Sequence, residues 1–366
     1  MSLLVAGFAA LRASAFGAPA TGERLERMQA SPQYGTKAFE NPMKTTMAVE
    51  KNPLGSAWEW ISNDAQVVPE VELPVATPGP LAPVGDDGLR VTWMGHSSML
   101  IEIDGHLILT DPVWGPRASP FSWMGPARFH ATPVEIEDLP KLDAVVLSHD
   151  HYDHLDYPSI LRLAALDTTF VVPLGLGAHL ESWGVPPERI TELDWWQEMT
   201  VGGLRLVSTP ARHFSGRGVT DRNSTLWSSW AIIGPTHRAW FSGDTGPAPF
   251  FDDIGSKLGP FDVSMIEIGA YHPSWGTIHL GPEAAVGVHQ QVRAKVMIPV
   301  HWGTFNLALH AWDAPIIELS EFAAQAGVTL GVPIVGGTVD VAAPFVDPFW
   351  LDRIGSVLDP LRDHSP

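Results

Sequence analysis

The sequence contains no cysteine. This absence excludes disulfides, thiolate nucleophiles and thiolate metal ligands, so any bound metal ion must be held by nitrogen and oxygen atoms. Basic residues are also scarce, with 22 Lys and Arg against 41 Asp and Glu and a formal net charge of −19. Because nucleic acids and anionic lipid headgroups both attract basic surfaces, we predict no nucleic-acid partner, and any contact with a membrane must be apolar.

Long apolar segments are missing as well. Residues 3–11 are apolar, but a helix needs about 20 such residues to cross a bilayer. Because small residues follow this segment, residues 1–20 resemble a weak signal peptide or a membrane-leaning segment. A membrane-associated location, with a bacterial-type envelope or periplasm as the compartment, and a cytoplasmic location therefore remain as alternatives.

The rest of the composition is that of a large folded domain. Of the 366 residues, 45% are hydrophobic and 17% are charged, which favours a globular protein with a sizeable core. Residues 1–88 are rich in Pro and Gly and lack a clear periodicity, so we predict an N-terminal extension that ends in a linker. From residue 89, short β-rich segments and then an alternation of strands and helices predict one α/β domain over residues 89–345, followed by a C-terminal tail over residues 346–366.

Two hairpins within this domain have a similar pattern. Each consists of a strand, a turn with Gly and a second strand, and they end in Asp111 and Asp244. The repeat predicts two related halves, each with its own sheet, although any two hairpins share part of such a pattern.

The densest group of candidate ligands lies in the sequence SHDHYDHLDY at residues 148–157, directly after an apolar segment that predicts a buried strand. Residues two apart in an extended chain point the same way, so His149 and His151 can bind one cation together. Asp153 and His154 then begin a turn and can face a second cation. The alternative is a solvated surface loop with ordinary His and Asp residues.

Three further residues favour the metal site over the surface loop. His213, Asp244 and His301 each follow the C-terminal end of an apolar strand, where open-sheet proteins place their sites. The ligand count predicts a binuclear centre bridged by Asp244, with the remaining ligands divided into two half-sites: His149, His151 and His213 for one metal, and Asp153, His154 and His301 for the other. Zinc is the default for such ligands, and iron and manganese are alternatives. Two cations about 3.5–4 Å apart lower the pKa of a shared water toward about 7, which predicts a hydrolytic centre.

Segments spread along the chain resemble N-acylphosphatidylethanolamine-hydrolysing phospholipases D, a branch of the metallo-β-lactamase fold. The resemblance runs in unbroken order from about residue 39 to residue 341 and is carried by GLRVTWMGHSSMLIEIDG, LTDPVWGPRASP, SHDHYDHLDY, ITELDWW, SGDTG, GPFDVSMIEIGAY and PVHWGTF. It implies an αββα sandwich of the α/β class, with two mixed sheets, flanking helices and the metals at the edge between the sheets.

The resemblance also implies an activity. The expected enzyme is a zinc-dependent phosphodiesterase with two Zn²⁺ ions, which cleaves N-acylphosphatidylethanolamine to phosphatidate and an N-acylethanolamine by attack of a metal-bridging hydroxide on phosphorus. Catalytic roles are implied for Asp244, Asp153 and His279, and the ligands of the family fall on the positions named above. The implied partners are a phospholipid substrate, a peripheral membrane contact and a second copy of the chain. The alternatives are a hydrolase of a soluble phosphodiester or a lactone, and a non-catalytic metal-binding member of the fold.

Three polar residues near these segments have two interpretations each. His279, in a Gly-flanked loop before a helix, matches a family histidine near the substrate phosphate, and a purely structural role is the alternative. Asp111, at the end of a strand and before Pro, is a candidate to orient a ligand imidazole or a simple turn residue. His96 in MGHSS could approach the metals, but buried structural histidines are common, so we predict at most a supporting role.

Large apolar residues in two Pro- and Gly-rich segments predict a lid or a groove for acyl chains. The first segment contains Trp58 and Trp60, and the second contains Phe121, Trp123 and Met124. Both assignments depend mainly on the lipid substrate that the family resemblance implies.

Overall fold

The computed structural model describes residues 14–45, 62–79, 81, 88–272 and 275–358. Two mixed sheets of seven strands each, with flanking helices, confirm the predicted metallo-β-lactamase sandwich. The strands in chain order are β1 Leu89–Gly95, β2 Ser98–Ile103, β3 His106–Thr110, β4 Ala144–Val146, β5 Thr169–Pro173, β6 Ile190–Leu193, β7 Glu198–Val201, β8 Leu204–Thr209, β9 Ser229–Ile233, β10 Arg238–Phe241, β11 Phe261–Glu267, β12 Ala294–Val300, β13 Thr329–Leu330 and β14 Thr338–Asp340.

The helices lie between and after these strands. The α-helices in chain order are α1 Gly22–Gln29, α2 Tyr157–Ala164, α3 Gly177–Ser182, α4 Phe250–Lys257, α5 Gly281–Gln291, α6 Ala314–Ala326 and α7 Pro348–Leu358. Short 3₁₀ helices cover Ser14–Phe16, Ile136–Asp138 and Pro187–Arg189. The start of α2 shows how the sequence fixes a boundary: the Asp156 side chain accepts a hydrogen bond from the backbone N–H of Ser159, and Pro158 is in the first turn, as expected of a helix N-terminus.

The two sheets share one pattern of strand pairings. The first has the order β14-β1-β2-β3-β4-β5-β6, antiparallel as far as β3 and parallel beyond it. The second has the order β7-β8-β9-β10-β11-β12-β13, antiparallel as far as β10 and parallel beyond it. The hairpins that end before Asp111 and Asp244 are therefore β2-β3 and β9-β10, at equivalent places in the two sheets. The two predicted halves are present in the topology.

The core is double-layered because side chains alternate across each strand. In β2, Met99, Ile101 and Ile103 belong to the apolar cluster that both sheets share. Leu100, which points to the other face, belongs to a second cluster that also contains Ile160 of α2. With both faces covered, the central strands are buried along most of their length, and their ends supply a rigid platform for the site.

The predicted N-terminal extension packs on the domain in the part that is described. The carbonyl oxygen of Ser14 accepts a hydrogen bond from Nε1 of Trp183, and that of Ala15 accepts two from the Arg217 guanidinium. Further along, Val75 forms a parallel bridge with Val335. Residues 1–13 of the predicted signal-like segment lie outside the described residues.

Residues 346–358, assigned above to the C-terminal tail, contain α7. Its residue Trp350 is 2% exposed and belongs to the main core cluster. Nε1 of Trp350 donates to the carbonyl oxygen of Pro333 at 3.0 Å. The helix therefore packs on the domain.

Candidate metal centre

The predicted ligands lie at one end of the two sheets. His149, His151, Asp153 and His154 occupy the loop after β4, and the others follow β8, β10 and β12. Because β4 belongs to the first sheet and the other three strands to the second, the site forms at the edge where the sheets meet. The structure brings every predicted ligand into this cluster.

Three imidazoles converge in the first half-site. Nδ1 of His151 lies 2.8 Å from Nε2 of His149 and 3.2 Å from Nε2 of His213. Nitrogens that share a tetrahedral zinc ion with bonds of about 2.0 Å lie about 3.3 Å from one another. The three nitrogens and a carboxylate oxygen of Asp244 lie within 4.8 Å of one another, close enough to bind a common cation.

The second half-site combines a carboxylate with two imidazoles. Oδ2 of Asp153 lies 3.2 Å from Nε2 of His301 and 3.4 Å from Nε2 of His154. His154 and His301 are buried, and their rings stack with centroids 5.2 Å apart.

Asp244 lies between the two half-sites. Its Oδ2 atom is 3.2 and 3.1 Å from Nε2 of His154 and His301, and 3.8 and 3.7 Å from Nε2 of His149 and His213. One carboxylate oxygen thus adjoins donors of both groups, which is the placement expected of a bridging ligand.

Two of the candidate ligand atoms have no hydrogen-bond partner among the described residues. They are Nε2 of His154 and Oδ1 of Asp244, and both are buried. Buried polar atoms in proteins are nearly always paired. Two cations bound among these nitrogen and oxygen atoms would satisfy them, so the residues present fit a binuclear metal group.

Hydrogen bonds behind the ligands fix the direction of the imidazoles. Nδ1 of His154 donates to Oδ2 of Asp111 at 2.7 Å, and Nδ1 of His213 donates to the carbonyl oxygen of Ile278 at 2.9 Å. Both bonds leave Nε2 directed at the centre, as in other metal sites with an orienting partner. Asp111 thus lies where a residue that orients a ligand imidazole is expected.

The sequence profile for the "Beta-lactamase superfamily domain" matches residues 106–302. The chain belongs to the β-lactamase superfamily. An uncharacterized protein of Mycobacterium tuberculosis is 46% identical over 360 residues, which cover 95% of this chain and 96% of that protein. N-acyl-phosphatidylethanolamine-hydrolyzing phospholipase D 1 of Caenorhabditis elegans is 43% identical over 234 residues, 61% of this chain and 66% of its own length. The predicted resemblance to this branch is confirmed as a similarity.

This protein also shares its fold with a solved structure. Igni18, described as a novel metallo hydrolase from Ignicoccus hospitalis, aligns with a TM-score of 0.53 and 23% identity over 69% of this chain and 97% of its own. The family, the fold and the donor set together support a metal-dependent hydrolase.

The charges and pKa values at the candidate metal centre suit metal binding. Burial opposes the charge on Asp244, but His154 and His301 hold the pKa of that carboxyl well below its usual range. Burial likewise opposes the charge on His301, but Asp244 raises its pKa to about 10. Burial lowers the pKa of His149 and His213, so both are neutral and ready to coordinate. Because His154 and His301 are protonated without metal, cation binding must release protons.

Left-handed backbone conformations concentrate at this centre. His96, Asp111 and His301 have φ angles of 53°, 34° and 63°. Residues other than glycine adopt this region at an energetic cost, and such residues cluster at functional sites.

A cavity of about 220 Å³ opens onto the centre. His279 lines it together with five of the ligands, and its apolar walls come from Phe214, Ala270, Trp275, Ile278 and Leu307. A few convergent polar groups within apolar walls are typical of a substrate site. His279 therefore lies where it could contact a substrate.

One of the two predicted aromatic segments, residues 121–124, lies away from the cavity. Trp123 is 72% exposed and Met124 48% exposed, and neither they nor Phe121 line the cavity. Trp58 and Trp60 lie outside the described residues. No helix within the described part of the chain is both long and apolar enough to cross a membrane.

Two residues of the site were missed or underrated from the sequence. Nε2 of His96 lies 3.0 Å from Oδ2 of Asp153, so His96 adjoins the second half-site. Glu267 contacts His279 and was not predicted, although it ends a buried strand at the sheet edge where Asp244 and His301 follow theirs. Its position at a strand end was the signal in the sequence that could have predicted it.

Proposed function

We propose that the protein is a phosphodiesterase of phospholipase D type that hydrolyses N-acylphosphatidylethanolamine with two bound Zn²⁺ ions. The observation that carries the proposal is the position of Asp244 Oδ2, within 3.8 Å of donors from both half-sites. Paired metal centres are suited to in-line displacement at phosphorus. The similarity to the C. elegans enzyme supports the choice of a lipid substrate.

The residues of the chain have separate roles in this reaction. Two cations would supply a hydroxide at neutral pH and offset the charge that develops on the phosphoryl oxygens. Asp244 holds the two half-sites together, and Asp153 completes the second. His279 binds Glu267 through Nδ1, which leaves Nε2 to contact the phosphate and, when the ring carries a second proton, to pass that proton to the departing oxygen.

The proposed step balances as a hydrolysis. The bond between phosphorus and the oxygen of the N-acylethanolamine breaks, and a bond from phosphorus to the oxygen of water forms. One proton of water ends on the N-acylethanolamine hydroxyl, and phosphatidate is the other product.

Peripheral membrane contact is the second part of the proposal. The exposed side chains of Trp123 and Met124 offer an apolar contact that does not depend on basic residues. This suits a chain whose net charge of −19 repels anionic headgroups.

A soluble phosphodiester is the second candidate substrate. The cavity of about 220 Å³ favours it, because this volume suits a small substrate and neither Trp123 nor Met124 lines it. The chemistry at phosphorus would be unchanged.

The test offers metal-loaded protein three substrates side by side: N-acylphosphatidylethanolamine in mixed micelles, bis(p-nitrophenyl) phosphate and a lactone. We expect turnover of the lipid, and Asp244→Asn should lower it by more than about 100-fold while the circular dichroism spectrum stays unchanged. The matched control is Asp167→Asn, whose side chain is 87% exposed and pairs with Lys141 on the surface. Turnover of the lactone alone would exclude the lipid assignment, and no turnover by fully loaded protein would favour a non-catalytic metal-binding member.

A further inference from the structure

Glu267 is a fully buried carboxylate at the end of β11. A buried carboxylate is unfavourable unless hydrogen bonds satisfy it. Its ion-pair partner among the described residues is His279 rather than a lysine or an arginine. The position therefore requires a reason beyond packing.

The hydrogen bonds of Glu267 join two loops of the site. Oε1 accepts from the backbone N–H of Thr245 at 2.9 Å and from that of Leu280 at 3.1 Å. Thr245 directly follows Asp244, and Leu280 directly follows His279. One carboxylate oxygen thus fixes the loop of the bridging ligand against the loop of the cavity histidine.

The other oxygen of Glu267 fixes the imidazole itself. Oε2 accepts from Nδ1 of His279 at 2.6 Å. The His279 ring lies 5.1 Å from that of His213 and 5.2 Å from that of His301, measured between centroids. With Nδ1 engaged, Nε2 is the ring nitrogen left for a ligand in the cavity.

A metal-binding role for Glu267 is the competing interpretation. Ligand atoms of Asp244, Glu267, His279 and His301 all lie within 4.8 Å of one another. Both oxygens of Glu267, however, already accept hydrogen bonds, whereas Oδ1 of Asp244 has no partner among the described residues. The hydrogen bonds rather than a further cation satisfy this carboxylate.

We propose that Glu267 is a positioning residue, which orients His279 so that Nε2 faces the substrate and holds the Asp244 loop in register with it. Glu267 does not line the cavity, so it acts through these two loops. The role in turnover rests on the proposed hydrolase function, but the hydrogen bond that underlies it can be tested without any substrate.

The first experiment records ¹⁵N–¹H correlation spectra of histidine-labelled, metal-free protein and assigns His279 with the His279→Ala variant. We expect a proton on Nδ1 of His279 in the wild type. Glu267→Gln presents an amide N–H to Nδ1, so a ring that carries a single proton should carry it on Nε2 in this variant. A wild-type ring with a bare Nδ1 would overturn the proposal, whether or not the variant folds.

The second experiment is a double-mutant cycle on whichever substrate the loaded enzyme turns over. Glu267→Gln should lower kcat by about 10–100-fold with a smaller change in KM and no loss of bound metal by elemental analysis. In the His279→Ala background, the same substitution should have little further effect on kcat, because the imidazole is gone and the Gln oxygen still accepts from the N–H groups of Thr245 and Leu280. Glu267→Asp, which keeps the charge, should recover part of kcat.

Independent losses in the double variant, or loss of a metal ion on Glu267→Gln, would instead assign Glu267 to the metal centre and contradict the positioning role. If no substrate is turned over, the proposed function fails while the spectra still decide the His279 orientation.

Discussion

Nδ1 of His154 donates a hydrogen bond to Oδ2 of Asp111 at 2.7 Å, and both side chains are fully buried. Asp111 follows β3 and Asp244 follows β10, at equivalent places in the two sheets. Each sheet thus has an aspartate at the equivalent strand end. In the first sheet the carboxylate orients a ligand, and in the second it is itself a candidate ligand.

Replacing Asp111 with Asn should weaken metal binding. The Asp111 carboxylate accepts hydrogen bonds from His154 and from both Ser148 N–H and Ser148 O–H. An amide must turn an NH₂ group toward one of these donors, so we expect metal affinity to fall by about 10–100-fold. Competition with a fluorescent chelator measures this loss.

The chain contains a matched control for this substitution. Asp104 is also buried and contacts Nδ1 of His237 at 2.7 Å, but it lies in the β2-β3 turn and outside the metal clusters. Asp104→Asn should leave the chelator competition unchanged. An equal loss of affinity in both variants would mean that Asp111 acts through general stability.

Substituting His96 should affect the second half-site selectively. Burial, together with the neighbouring His301, lowers the pKa of His96 to about 3, so its ring is neutral and can donate from Nε2 to Asp153. In His96→Ala, Asp153 loses this donor, so one of the two metal ions should be bound more weakly than in the wild type. We expect elemental analysis after dialysis to find that about one ion has been lost. His130→Ala is the control, since His130 is buried nearby but contacts Thr304 and Ala131. Full retention of both ions in His96→Ala would show that His96 is only a packing residue.

Much of the site could be predicted because its signals are local. His149, His151, Asp153 and His154 lie within six residues, and a strand-end position is recognisable from the apolar residues before it. Asp244 could be added by the same rule. These residues need only the local chain conformation and the general position of parallel strand ends.

The contacts that could not be predicted join segments that are distant in sequence. His96 meets Asp153 across 57 residues, and which loops approach each other depends on how the two sheets pack. Glu267 was recognisable as a polar residue at a strand end, but its partner His279 lies in a loop whose path no periodicity determines. Hydrophobic patterning specifies elements and faces more strongly than it specifies the meeting of loops.

His289 should make stability depend on pH. Burial lowers the pKa of His289, next to Ser264, from the usual 6.5 to about 4. Between these values the unfolded chain binds a proton that the folded protein does not, so stability is full above pH 6.5, falls as the pH is lowered and levels off below pH 4. From pH 7.5 to pH 5 this histidine should account for a loss of about 2 kcal/mol in the free energy of unfolding.

Urea unfolding of the wild type and His289→Gln at both pH values measures the effect. The metal ligands titrate equally in both proteins, so the difference between the two free energies isolates His289. That difference should shift by about 2 kcal/mol in favour of the variant at pH 5. A difference that stays constant with pH would contradict a neutral, buried His289.

Removing residues 1–20 should destabilise the domain. The deletion takes away the Ala15 carbonyl oxygen, to which Nε and Nη2 of Arg217 donate at 2.9 and 2.7 Å, and the Ser14 carbonyl that Trp183 contacts. Loss of this acceptor from the buried guanidinium, which also donates to the carbonyl oxygens of Asp150 and Leu155, costs about 1–3 kcal/mol, which urea unfolding can resolve. Deletion of residues 1–13 is the control and should cost less. Equal stability of the two truncated proteins would mean that these contacts contribute nothing, and that a cleaved leader of this length is compatible with the fold.

Trp123 should contribute to membrane contact. Its side chain is 72% exposed beside Met124, and burying an aromatic side chain of this size in an apolar phase is worth about 1.5–3 kcal/mol. We expect Trp123→Ala to weaken binding to zwitterionic phosphatidylcholine vesicles by about tenfold, measured by co-sedimentation, with no change in turnover of a soluble phosphodiester. Trp196→Ala is the control, because Trp196 is 38% exposed but packs against Lys257 on α4. Equal binding of the wild type and Trp123→Ala would show that this segment does not contact the membrane. Turnover of lipid and soluble phosphodiesters at the metal centre would then be the remaining test of the substrate class.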